Sequence, residues 1–147
     1  MKPIVSVRKL RQNAVLPRYG SQEAAGADLC ACLDEANMVF APHETRMVPT
    51  GIALEIPVGY AGLIYARSGI ACKRGLAPAN KVGVIDSDYR GEIFVALHNH
   101  TNESKQIENG ERIAQLILTP YLTAEFMLSD ALSETQRGSG GFGSTGK

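Results

Sequence analysis

The chain has 147 residues, with 15 Lys+Arg against 15 Asp+Glu and therefore no formal net charge. That is the length of one ordinary domain, and 44% hydrophobic against 20% charged residues is the composition of a folded rather than a disordered chain. Without an excess of positive charge it is not expected to bind nucleic acid or an anionic membrane surface in general, although a small anion needs only a local cluster of donors.

The first residues, Met1 to Arg8, mix charge with β-branched side chains and lack the apolar run of a secretory leader. Ala27, Leu29, Ala31 and Leu33 alternate with Asp28, Cys30, Cys32 and Asp34, the period-two signature of a strand. On such a strand Cys30 and Cys32 share a face and are poorly placed to bond to each other. With Cys72 as the odd third, the cysteines read as small thiols in a reducing cytoplasm. Short apolar runs follow at 38–40 and 46–48, bounded by Ala41-Pro42-His43 and Pro49-Thr50-Gly51. Ile52, Leu54 and Ile56 alternate again, and Pro57-Val58-Gly59 leads into a strand over 60–65.

Ser68 is placed to cap a helix of about two turns, which Gly75 closes in a left-handed C′ position. A strand over 81–85 runs into Asp86-Ser87-Asp88, and Ile93, Val95 and Leu97 alternate after it. Glu108-Asn109-Gly110 precedes apolar runs at 113–118 and 124–128. The most apolar stretch, 113–122, is about half the roughly 20 residues of a membrane span and contains Gln115 and Pro120. His98 and His100 can share a strand face, but with His43 and the cysteines they have no zinc-ligand spacing. Many short strands in one domain predict an all-β sandwich, jelly roll or barrel.

Five segments carry candidate chemistry. Ala66-Arg67-Ser68-Gly69 sits at the helix start, where backbone N–H groups, a hydroxyl and a guanidinium can hold an anion; taken alone, Ser68 is simply a cap. In Gly83-Val84-Ile85-Asp86-Ser87-Asp88-Tyr89-Arg90-Gly91-Glu92, a carboxylate stands at the mouth of a core strand, placed to accept a proton from water, and Tyr89 offers a flat face to a sugar. Taken alone, that segment is a hairpin turn. Asp28 lies on the polar face of its strand. Arg112 and Gln115 are three apart, so a regular strand points them to opposite faces unless a bulge intervenes. The last twelve residues, 136–147, contain five glycines and cannot form a packed element. Arg137, Phe142, Ser144 and Thr145 stand out among them as groups able to wrap a phosphate chain and stack on a base.

These segments, AGADL at 25–29, ARSGIA at 66–71, GVIDSDYRGEI at 83–93, GERIAQL at 110–116 and RGSGGFGSTG at 137–146, resemble in order and spacing the five motifs of the trimeric deoxyuridine triphosphate nucleotidohydrolases, the dUTPases. The family's first motif often has an aromatic where this chain has Ala27. The resemblance implies a jelly-roll subunit with one short helix, spanning 1–135, with a flexible Gly-rich arm over 136–147 that acts as a lid. It implies a cytoplasmic homotrimer with shared active sites that hydrolyses dUTP to dUMP and pyrophosphate. By similarity, Asp86 is the general base for in-line attack of water on the α-phosphorus, and Gln115 holds the α-phosphate and that water. Arg67, Ser68 and Gly69 bind the triphosphate. Asn80 and the backbone of Val84 and Ile85 read uracil, while Tyr89 and Phe94 line the nucleoside. Arg137, Gly143, Ser144 and Thr145 close over the phosphates with Phe142 on the base. Asp28 and Arg112 support the site. Mg²⁺ is carried mainly by the triphosphate and water, with no metal ligands from protein. Two other readings belong beside this one: a related dCTP deaminase, for which Glu92 would be the proton shuttle, and a non-catalytic nucleotide-binding module.

Overall fold

The computed structural model describes residues 2–143. The strands are β1 (Ser6–Lys9), β2 (Arg18–Tyr19), β3 (Ala27–Cys30), β4 (Asn37–Phe40), β5 (Thr45–Glu55), β6 (Tyr60–Tyr65), β7 (Leu76–Pro78), β8 (Gly83–Ile85), β9 (Glu92–Asn99), β10 (Lys105–Glu108) and β11 (Arg112–Pro120), with one helix, α1 (Ser68–Arg74). Period-two patterning sets their faces. In β9, Ile93, Val95, Leu97 and Asn99 point inward while Phe94, Ala96 and His98 point out.

All pairings are antiparallel, in a four-stranded sheet ordered β1-β5-β9-β7, a five-stranded sheet ordered β2-β3-β11-β6-β8, and a two-stranded β10-β4 pair. The inner faces of the two large sheets supply one core: Leu54, Ile93, Val95 and Leu97 from the first, Leu29, Ile64, Ile113 and Leu116 from the second. None of these is more than 8% exposed, so each contributes roughly 1.5–3 kcal/mol of burial free energy. The result is an all-β jelly-roll sandwich. The buried Asn99 ties its end together: Nδ2 donates to the Ala41 and Glu103 carbonyls, and Oδ1 accepts from the amide and hydroxyl of Thr101.

Four expectations from the sequence are corrected. Pro49-Thr50-Gly51 does not separate two strands; β5 passes through it. The register against β9 shifts between Pro49 and Ala53, a bulge that absorbs the proline. Gly51 takes φ 70°, and a Cβ there would lie 2.7 Å from the Cys32 sulfur. Secondly, β3 ends at Cys30, and Ala31, Cys32 and Leu33 are buried in succession. Cys30 and Cys32 therefore do not share a face; burial pushes both thiols up, and all three cysteines are free. Thirdly, the helix N-cap is Arg67, in extended conformation and with no side-chain capping bond, so Ser68 is the first helical residue. Gly75 ends the helix at φ 66°, as predicted. Finally, 124–128 forms no strand. Described residues from Tyr121 onward make no regular element, and Phe126, Met127 and Leu128 are exposed. No helix among the described residues is long and apolar enough to cross a membrane.

Candidate active site

A row of polar side chains crosses the five-stranded sheet. Gln115 on β11 lies directly opposite Asp28 on β3 and Tyr65 on β6, and directly opposed residues share a face. The β3–β11 register shifts between Arg112 and Ala114, so Ile113 and Ala114 are buried consecutively. This bulge brings Arg112 round to the face of Gln115, the alternative the sequence left open. Asp28 is then held between two guanidiniums. Arg67 Nε donates to Asp28 Oδ1 at 2.6 Å, and Arg112 Nη1 donates to Oδ2 at 3.2 Å. Arg67 also reaches the Arg112 carbonyl at 3.5 Å. Two cations against one anion leave this corner positive, with guanidinium N–H groups still available. Ser68 and Gly69 follow, exposed, at the start of α1. The Gln115 amide is held at one end, where Nε2 donates to the Ala66 carbonyl at 2.8 Å, and its Oε1 occupies the space beside Gly26. A Cβ on Gly26 would stand 2.3 Å from that oxygen. The sequence left Gly26 unremarked within AGADL.

Asp86 and Tyr89 lie on a different structure. Because β8 pairs with β6, and β9 pairs with β5 and β7, residues 86–91 cross between the two sheets and do not form a hairpin. The crossing is locked locally. The Tyr89 amide donates to the Asp86 carbonyl at 3.2 Å, and Arg90 Nη1 donates to the Ser87 carbonyl at 2.6 Å. Asp86, Val84, Ile85, Tyr89, Phe94 and Met47 line a cleft of about 230 Å³. Asp86 is exposed at its mouth and makes none of the ion pairs found among the described residues. Asn80, exposed, precedes β8 and lies against Gly83 at the strand's other end. Glu92 also borders the cleft, but its carboxylate accepts from the Gly51 amide at 2.9 Å and stands 4.0 Å from Arg11 Nε. A carboxylate committed to the backbone in this way is a poor proton shuttle for deamination.

The two groups are far apart within one chain. Ile85 faces Gly62 and Gln115 faces Tyr65, so Asp86 and Gln115 are separated by four residues of strand rise, about 13 Å, and two strand spacings, about 10 Å. No single phosphorus lies within reach of both. On the arm, Arg137 and Gly143 are exposed and Phe142 is fully so; Ser144 and Thr145 lie outside the described residues. A larger, mostly apolar groove of about 650 Å³ along β1 and β2 contains none of the predicted site residues.

The donor set does not make a resident metal site. Both Asp28 oxygens are taken by arginines, and no cluster of three His, Cys, Asp or Glu side chains suited to a metal occurs among the described residues. The rings of His98 and His100 are 4.5 Å apart and those of His43 and His98 6.5 Å, with His98 Nδ1 within 2.8 Å of the Thr45 hydroxyl. Burial, then the neighbouring His98, lowers the affinity of His100 for a proton.

The chain is similar to known proteins along nearly its whole length. The dUTPase family model matches residues 12–146. A deoxyuridine 5'-triphosphate nucleotidohydrolase of Nautilia profundicola is 48% identical over 97% of this chain and 99% of its own length. One from Desulfitobacterium hafniense is 52% identical over 89% of this chain and 87% of its own. Among solved structures, the Staphylococcus bacteriophage 80alpha dUTPase with dUPNHPP superposes with a TM-score of 0.88 at 30% identity, covering 98% of this chain and 99% of that one. Matched along nearly its whole length in sequence and in fold, the chain belongs to the dUTPase family.

Proposed function

We propose that this enzyme hydrolyses dUTP to dUMP and pyrophosphate in the cytoplasm, keeping uracil out of DNA and supplying dUMP for dTMP synthesis. The observation that carries the reading is the pairing of a positive corner with a distant unpaired carboxylate beside an apolar cleft: a place for phosphates and a place for a base. Arg67, Arg112, Ser68, Gly69 and the Gln115 amide make the first; Asp86, Tyr89, Phe94, Val84 and Ile85 make the second. Their separation within one chain supports a site completed by another copy, in which the Asp28–Arg67–Gln115 row of one subunit faces the Asp86 loop of the next in a homotrimer with shared sites.

In that site Asp86 accepts a proton from water as it attacks the α-phosphorus in line, and Gln115 orients the α-phosphate and that water. Positioning and charge neutralisation do most of the catalysis. Asp28 holds Arg67 and Arg112 pointed at the phosphates. No ligand cluster for Mg²⁺ occurs among the described residues, so the metal would be carried by the triphosphate and water and would offset part of its negative charge. Asn80 and the β8 backbone contact the uracil edge, and Tyr89 packs on deoxyribose. The arm over 136–147 then folds over the nucleotide: Phe142 stacks on the base, and Arg137, Gly143, Ser144 and Thr145 meet the β- and γ-phosphates. Ordering a dozen such residues costs roughly 1–2 kcal/mol each, so closure depends on ligand contacts.

Pyrophosphate release from dUTP, dTTP, dCTP and UTP, measured in parallel with and without Mg²⁺, tests the reading. Release from dUTP alone, strongest with Mg²⁺, is expected. Ammonia release from dCTP would mean a deaminase, and no turnover of any nucleotide would mean a binding module.

A further inference from the structure

Tyr89 does not project freely into the cleft. Its ring is laid back over the following backbone, and the hydroxyl donates to the Glu92 carbonyl, three residues on, at 3.0 Å. The space it fills belongs to Gly91. A Cβ at that position would stand 2.3 Å from Tyr89 Oη, 2.5 Å from Cζ and 2.9 Å from Cε2, against about 3.5–4.0 Å for ordinary carbon contacts. Gly91 is not among the glycines in left-handed conformation, so φ does not call for glycine there, and the three atoms nearest to its missing Cβ all belong to the Tyr89 ring. A phenol is rigid. Three of its atoms cannot yield separately, so the ring must swing away as a unit and release Glu92. The rest of the loop has its own anchors, at Ser87 and Asp86, and does not depend on the ring.

We propose that Gly91 is a specificity-determining positioning residue: its bare Cα is the seat on which the Tyr89 ring is held against the sugar, and the fit of that seat sets the discrimination between deoxyribose and ribose. The proposal rests on the reading of Tyr89 as the deoxyribose wall. A ring pushed off its seat opens the space a 2′-hydroxyl needs, whereas general damage to the loop would slow both substrates alike.

The test uses the full chain and four proteins: wild type, Gly91→Ala, Tyr89→Ala and the double variant, each assayed for pyrophosphate release from dUTP and UTP. Affinity for dUMP against UMP gives the same ratio without turnover. Gly91→Ala is expected to raise the UTP-to-dUTP ratio of kcat/KM about tenfold or more, with the thermal transition little changed. In the Tyr89→Ala background it is expected to change the ratio no further, because no ring remains to displace. A wild-type ratio in Gly91→Ala beside a raised ratio in Tyr89→Ala overturns the role of Gly91 alone. A wild-type ratio in Tyr89→Ala overturns the sugar-wall reading itself, and the proposal with it.

Discussion

The Asp28–Arg67–Gln115 corner and the Asp86 loop stand on two kinds of structure. The corner is built from three hydrogen-bonded strands and a helix start, and its charges are cross-braced, two guanidiniums on one carboxylate. The loop crosses between sheets, holds itself by short-range bonds and leaves its carboxylate exposed. The corner is arranged to hold fixed negative charge, and the loop to present a reactive oxygen. On the proposed reading each half serves its own task and neither suffices alone for catalysis. Breaking the loop should abolish chemistry while sparing binding; breaking the corner should weaken both.

The largest effect is expected from Asp86→Asn, which keeps size and hydrogen bonding but removes the base. Turnover of dUTP should fall about 10³-fold or more, with nucleotide still bound in calorimetry. Near-normal turnover would move the base elsewhere. Deleting 136–147 should leave a folded protein of unchanged oligomeric state, by light scattering, while kcat/KM falls about 10²-fold or more. An unchanged value would remove the arm from the mechanism.

Gln115→Ala removes the oriented amide and is expected to cost about 10²-fold in kcat. Gly26→Ala should cost less, about tenfold, by forcing the same amide aside, and should cost much less again when Gln115 is already alanine, where only the 3.1 Å approach to the remaining Cβ is left. Additive losses in that cycle would show that Gly26 acts through the strand rather than through the amide.

Much of this was legible in the sequence because period-two patterning is local. The inward set of β9 reads directly from Ile93, Val95 and Leu97, and the helix end from Gly75. What was not legible depends on partners distant in the chain. Pro49-Thr50-Gly51 carries strong turn residues, yet Thr50 donates to the Ile93 carbonyl at 2.6 Å and the strand runs on. The bulge that turns Arg112 onto Asp28 is set by the register against β3, which no single segment reveals. The 124–128 run has the composition of a strand but finds no sheet edge within this chain. Gly26 and Gly91 carry no side chain to read; their meaning lies in the Gln115 and Tyr89 atoms that fill the space.

The division of one site between copies is tested most directly by complementation. Asp86→Asn and Gln115→Ala chains, each inactive alone, are co-refolded in equal amounts and assayed for pyrophosphate release. If the corner of one subunit works with the loop of the next, a site is intact when each half comes from the suitable variant, one half times one half, so about a quarter of wild-type activity should return. If both halves serve within a single chain, every site carries a lesion and the mixture stays as inactive as its components.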